Sequence, residues 1–151
     1  MKIKKFTGTI TKIIDLSPTA KEVIIRTSVP VDFIPGSFLN VFMTIDGEKI
    51  RRAFSISSSH LDQNEISFTI RLSPKGKMSP LFWKEDLTHA ELELMGPLGL
   101  NTVDKMLKQK IYLFAFGVGV GVVKSIADYF NAQKDIQKIV IITGSKFEEE
   151  V

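Results

Sequence analysis

The 151-residue chain contains no cysteine. Disulfides, thiolate-held metals and a cysteine-ligated iron–sulfur cluster are therefore excluded within it. The absence also fits a reducing compartment, and a cytoplasmic location is expected. Histidine is almost as scarce. His60 and His89 are the only two, and neither has an acidic or metal-ligating neighbour at useful spacing. Both read as surface or loop histidines, and no metal site is expected. No serine–histidine–acid set or pair of catalytic carboxylates stands out. An excess of one charge is lacking too: 20 Lys and Arg against 17 Asp and Glu leave +3, with the lysines scattered. That excess suits an anionic cofactor or an acidic partner, but it is too small to argue for nucleic acid. The most apolar run, residues 111–123, contains three glycines and falls short of the ~20 residues that span a bilayer. Lys2, Lys4 and Lys5 are followed by no apolar stretch, so neither a signal peptide nor membrane insertion is expected.

What is present suits a folded domain. The chain is 44% hydrophobic and 25% charged, enough for a core and a soluble surface. Up to about residue 100 the pattern is β. Candidate strands lie at 5–16, 22–27, 38–45, 53–57, 66–72 and 91–95, separated by Ser17-Pro18, Pro30, Pro35-Gly36, Asp46-Gly47, Asp62-Gln63-Asn64 and Ser73-Pro74-Lys75-Gly76. Short strands with frequent turns predict a closed antiparallel barrel or a sandwich. A short helix is predicted after Ser79 as N-cap with Pro80 at its first position, and Trp83 reads as a core or lid residue.

The period changes after Gly99. Residues 111–116 read as a buried strand, 117–121 as a turn, 122–131 as a helix and 138–143 as a second buried strand. This predicts a β-α-β unit with parallel strands. Two strands and one helix cannot cover both faces of a sheet, so this second unit reads as incomplete. Apolar edges near 139–142 would favour pairing with another chain.

Several short motifs could carry chemistry. In Arg52-Ala53-Phe54-Ser55, strand alternation puts Arg52 and Phe54 on one side and Ala53 and Ser55 on the other. A guanidinium can fork onto phosphate oxygens, and an aromatic ring can lie against a planar ligand. The same residues also suit an edge strand with a charge outside and a ring in the core. In Gly76-Lys77-Met78-Ser79, glycine permits close backbone approach, and the amides opening the next helix could meet an anion; a plain helix cap suits these residues equally. Gly117-Val118-Gly119-Val120-Gly121 follows a strand and opens a helix, as a nucleotide-binding turn does, but it is not Gly-x-Gly-x-x-Gly.

Taken in order, these motifs, with Pro35-Gly36-Ser37-Phe38 before them and Gly96-Pro97-Leu98-Gly99 between, resemble the ferredoxin–NADP reductase family over roughly residues 4–145. The resemblance implies a mainly β fold: a six-stranded antiparallel Greek-key FAD-binding barrel at 1–100, then the β-α-β start of an α/β NAD(P)-binding domain at 101–151. The family motif is Arg-x-Tyr-Ser. By resemblance Arg52 meets the cofactor phosphate, Phe54 packs on the isoalloxazine in place of tyrosine, and Ser55 approaches the flavin's reactive nitrogen. Arg51 is a second phosphate candidate, Ser57 and Ser58 extend the match, and Ala53 is counted with the cofactor-binding residues. The backbone of Ile70, Arg71 and Leu72 falls where the family meets its cofactor, and Gly76, Lys77, Met78 and Ser79 where it holds the pyrophosphate. Gly117, Gly119 and Gly121 correspond to the nicotinamide-nucleotide turn, although Val120 replaces a threonine and Lys124 stands where a proline is expected. The implied cofactor is FAD, with FMN as the alternative, and the donor NAD(P)H. The implied partner is an electron acceptor protein, or a second chain completing the C-terminal unit. A flavin-binding module without reductase activity and a cofactor-free interaction domain are the alternatives. The lack of an acid–base constellation agrees with chemistry carried by a cofactor.

Overall fold

The computed structural model describes residues 2–105, 110–133 and 138–145. The 146–151 end of the expected second unit lies outside the described residues. Among the described residues, eight strands form two sheets. The first sheet is antiparallel and six-stranded, made of β1 (Lys4–Ser17), β2 (Ala20–Thr27), β3 (Phe38–Ile45), β4 (Glu48–Ser55), β5 (Glu65–Arg71) and β6 (Glu91–Leu98). Their order is β4-β3-β6-β1-β2-β5, so the non-sequential neighbour β6 sits between two hairpins in a Greek-key arrangement. The second sheet is the parallel pair β7 (Lys110–Phe116) and β8 (Lys138–Gly144).

Alternation in the first sheet points one face of each strand at a common core. Ile10, Val23, Ile25, Leu39, Val41, Ile66, Phe68, Ile70, Leu92 and Leu94 are all fully or almost fully buried there. The sheet curls until its outer strands meet at one point. Ile56 bridges Phe68, and the Ser57 N–H donates to the Ser67 carbonyl at 2.8 Å. Asp46-Gly47 forms the hairpin between β3 and β4 with φ of 51° and 77°. Those left-handed values are the demand of a two-residue hairpin loop. Gly36, with φ 98°, is packed so closely that a Cβ there would come within 2.3 Å of the Asn101 carbonyl oxygen. This contact ties the entry of β3 to the exit of the barrel.

The expected strand at 53–57 is in fact β4 and begins at Glu48. It is an edge strand, paired only with β3 along its length. Only Ile50 is buried among its first six residues, so its charged stretch carries no amphipathic signature.

In the second sheet Ile111, Leu113 and Ala115 face the helix α2 (Val120–Asn131) and pack with Val123, Ile126 and Phe130. Among the described residues, no helix is long and apolar enough to cross a membrane.

Candidate functional site

β4 and β5 meet at the Ile56–Phe68 bridge and separate beyond it. A cleft of about 360 Å³ opens where they part. Ala53, Phe54 and Ser55 line it from β4, and Thr69 and Arg71 from β5. Val118, Gly119 and Val122 close it from the turn that opens α2. Thr69, Arg71 and Val118 also line an adjoining hollow of about 70 Å³ that reaches Ser17 and Ala20 of the β1–β2 hairpin. One strand edge, one aromatic ring and one glycine turn thus converge on a single concave surface, the usual form of a small-molecule site.

The three glycines of the turn do different things. Gly117 adopts φ +52°, which a side chain would resist, and a Cβ there would lie 3.0 Å from the Arg71 Nη1. Gly119 faces open space, with nothing within 4 Å of a built Cβ. Gly121 lets α2 approach β5: a Cβ there would fall 2.3 Å from the Thr69 Oγ1 and 3.0 Å from the Ser57 Cβ. The helix is fastened at the same place by Ser125, fully buried, whose hydroxyl donates to the Ser58 carbonyl at 2.7 Å.

Behind this contact runs a set of hydroxyls. Ser57 and Ser67 are 2.8 Å apart at their Oγ atoms. The Ser67 hydroxyl donates to the Glu22 Oε1 at 2.7 Å, and the Ser67 N–H donates to the Ser58 Oγ at 3.1 Å. Ser57 is therefore part of the closure of the sheet rather than of the cleft wall. His60, expected as a surface or loop histidine, is a loop residue half-covered by α2. Its ring lies 5.0 Å from that of Tyr129, and its Nδ1 is buried without a hydrogen-bond partner.

Phe54 is half-buried and stacks on the fully buried Phe68, with centroids 4.5 Å apart and planes 16° from parallel. Arg51 and Arg52 are exposed on the same edge, and Arg52 Nη1 donates to the Arg51 carbonyl at 2.7 Å. Ile70 and Met78 point into the core with 1% exposure each, so only their backbone can meet a ligand. The Leu72 N–H is engaged with the Thr19 carbonyl at 2.8 Å.

The 73–79 segment folds on itself. Gly76 N–H donates to the Ser73 carbonyl at 2.8 Å, and Ser73 N–H donates to the Ser79 hydroxyl at 3.0 Å. Ser79 was expected as a helix N-cap. Its hydroxyl instead closes this loop, and the four-residue helix α1 (Leu81–Lys84) starts after Pro80 with no side-chain cap. Lys77 forms an ion pair with Glu48, joining this loop to the first residue of β4. Trp83 packs on the core margin and donates from Nε1 to the Pro18 carbonyl at 3.2 Å.

The structure thus gathers Ala53, Phe54, Ser55, Arg71 and Gly119 around one cleft, while Arg52, Ser57, Ile70, Leu72, Gly76, Lys77, Met78 and Ser79 are not among its lining residues. Sequence reasoning missed Phe68, Thr69 and Val118. A signal for Thr69 existed: Ser67, Thr69 and Arg71 alternate with Ile66, Phe68 and Ile70, which marks one polar and one apolar face on β5. Nothing in the sequence says that the polar face receives a glycine turn.

Residues 7–102 match the family model described as the oxidoreductase FAD-binding domain. The chain is 34% identical over 107 residues to the glycine betaine monooxygenase reductase subunit of Pseudomonas aeruginosa, covering 69% of this chain and 29% of that protein. It is 28% identical over 145 residues to the phenol hydroxylase P5 protein of Acinetobacter pittii, covering 95% of this chain and 40% of that protein. Among solved structures, the ferredoxin reductase in carbazole 1,9a-dioxygenase superposes with a TM-score of 0.91 at 24% identity, over 100% of this chain and 45% of that one. The chain therefore spans less than half the length of these relatives. With the match running through β1 to β6 and the cleft between β4 and β5, this chain belongs to the oxidoreductase FAD-binding domain family.

Proposed function

We propose that the chain is the flavin-binding part of a reductase or electron-transfer component, carrying electrons from NAD(P)H to an acceptor protein or small molecule. The carrying observation is the cleft between β4 and β5, walled by Ala53-Phe54-Ser55 and closed by the Gly117–Gly119 turn. The residues fit FAD. Phe54 offers a supported ring for a planar ligand, Gly119 leaves space at the opposite wall, and Arg51 and Arg52, exposed on the edge of β4, supply positive charge for phosphates.

FAD, when bound, supplies the acceptance and release of electrons. The protein's share is binding and orientation. Arg52 would hold a cofactor phosphate once its guanidinium turns from the Arg51 carbonyl. Lys77, Met78 and Ser79 would present backbone donors to the pyrophosphate, and Gly76, whose N–H is held by the Ser73 carbonyl, would shape the turn that carries them. Phe54 would carry the isoalloxazine, and the Ser55 hydroxyl, at the exposed end of β4, would be the group to approach the flavin's reactive nitrogen. Ala53 and the backbone of Ile70, Arg71 and Leu72 frame the ring, while the Ser57 network fixes the strand behind it. Gly117 and Gly119 leave room for a nicotinamide nucleotide, and Gly121 seats the helix. Residues 1–100 then form the flavin unit and 101–151 the start of the nucleotide unit. A cytoplasmic location agrees with the lack of cysteine.

The named relatives include a reductase subunit of a monooxygenase and a phenol hydroxylase component, which supports an oxygenase as the class of acceptor. A second reading is favoured by one observation. Tyr112, Phe114 and Phe116 are exposed on a two-stranded sheet, so this chain by itself would bind flavin without reductase activity.

The test is the visible spectrum of the chain purified with excess FAD and desalted. A retained flavin band that Arg52→Ala weakens is the expected result, and a colourless folded protein overturns the assignment. Bleaching by NADH or NADPH then separates the two readings.

A further inference from the structure

We propose that Phe68 is a positioning residue for the flavin, holding the ring of Phe54 as a fixed platform under the isoalloxazine. The inference rests on the flavin reading above. It starts from the one stacked ring pair at the cleft, at 4.5 Å and 16°. Phe54 lines the cleft, whereas Phe68 is fully buried and lies outside its lining. Phe68 therefore touches no ligand and acts through Phe54.

Three features make Phe68 suited to that task. Its backbone is fixed on both sides, paired with Val23 of β2 and bridged to Ile56 at the closure of the sheet. Its side chain sits in the packed core with Val23, Ile25, Ile56 and Ile66. Its ring then presents a flat apolar surface to Phe54, and stacked rings attract beyond simple area burial. Phe54 needs such support. It lies one residue from the end of β4, on a sheet edge, and has no hydroxyl with which to fix its plane by a hydrogen bond. A side chain at a cleft rim with no such neighbour exchanges rotamers freely, and a ligand must then order it on binding. The stack removes that cost before the flavin arrives. An isoalloxazine on the outer face of Phe54 forms the third layer of a ring stack rooted in the core.

Phe68→Leu removes the flat surface and keeps an apolar side chain. Phe33→Leu is the control, because Phe33 is equally part of this core at 3% exposure and lies outside the cleft lining. Both variants of the full chain should melt at lower temperature. Only Phe68→Leu should weaken FAD binding, by about tenfold, as the loss of one stacked pair implies. It should also change the visible circular dichroism and the fluorescence quenching of the bound flavin. Phe54→Leu with Phe68→Leu should bind no worse than Phe54→Leu alone, because both act through one contact. Phe68→Met serves if the leucine variant does not fold. A folded Phe68 variant that binds FAD as tightly as Phe33→Leu, with an unchanged flavin spectrum, overturns the proposal. Failure of the unaltered chain to bind FAD overturns the flavin reading first and this inference with it.

Discussion

The two sheets of this chain solve the same problem differently. In the six-stranded sheet, alternate residues of neighbouring strands share a core that curls around itself, and the outer strands close at Ile56 and Phe68. In the parallel pair, α2 covers Ile111, Leu113 and Ala115 on one face, while Tyr112, Phe114 and Phe116 stand exposed on the other. Parallel sheets normally carry cover on both faces. The first sheet thus makes its own interior, whereas the second borrows stability from the barrel through Gly121 and Ser125. The site lies on the seam between them. One wall of the cleft comes from the self-sufficient sheet and its glycine turn from the dependent one.

The sharpest way to break this comparison is to damage each core in turn. Leu94, almost fully buried on the central strand β6, should cost about 3–5 kcal/mol when changed to alanine, because the cavity cannot collapse within a closed sheet. Urea unfolding should then show one early transition that takes the flavin with it. Leu113→Ala in the parallel pair should instead raise hydrogen exchange in 110–133 and leave the amides of β1 to β6 protected. Equal loss of protection in both regions would show that they unfold as one.

Gly121→Ala addresses the seam itself. The new methyl would meet Thr69 and Ser57 too closely, so α2 must lift from β5 at a cost of about 1–3 kcal/mol. Proteolysis within the second unit should quicken, and Thr69→Ala should recover part of the loss by removing the nearest atom. Ser125→Ala is milder. It leaves the Ser58 carbonyl without its side-chain donor and should cost about 1 kcal/mol. Urea denaturation of the variant chain measures it.

Legibility in the sequence follows the same seam. Strands of the first sheet could be read because alternation is the direct imprint of one buried and one open face, and β3 was expected with its observed limits, Phe38–Ile45. β4 was read short because an edge strand with Lys49, Arg51 and Arg52 exposed has no buried face along that stretch to record. The parallel pair and its helix were legible as apolar runs of the right length. In the site, Arg52-Ala53-Phe54-Ser55 and the glycine turn were legible as short patterns whose order matters. Phe68 was not, since a phenylalanine on a core strand looks like any other core residue until its neighbour across the gap is known. The same holds for Gly121, where the reason for glycine is an atom of Thr69 more than fifty residues earlier.

The smallest expected effect is the most telling for the comparison. Phe114 is 61% exposed and lies opposite Ile142, itself 43% exposed, in the parallel register. If that face is bare in the isolated chain, Phe114→Lys removes apolar surface from water and should change stability by less than about 0.5 kcal/mol. It should also lower the binding of a hydrophobic dye and slow self-association, since exposed apolar faces and free sheet edges are what associate. The flavin cleft, whose lining does not include Phe114, should keep its affinity. A loss of several kcal/mol would mean the opposite: the ring is buried in solution by another copy of the chain or by a partner, and the second sheet is not bare. Sedimentation at two protein concentrations distinguishes those two occupants, because only self-association depends on the concentration of this chain alone. Neutrality would mean that this face is bare and that the second unit is held by its α2-covered core and the seam.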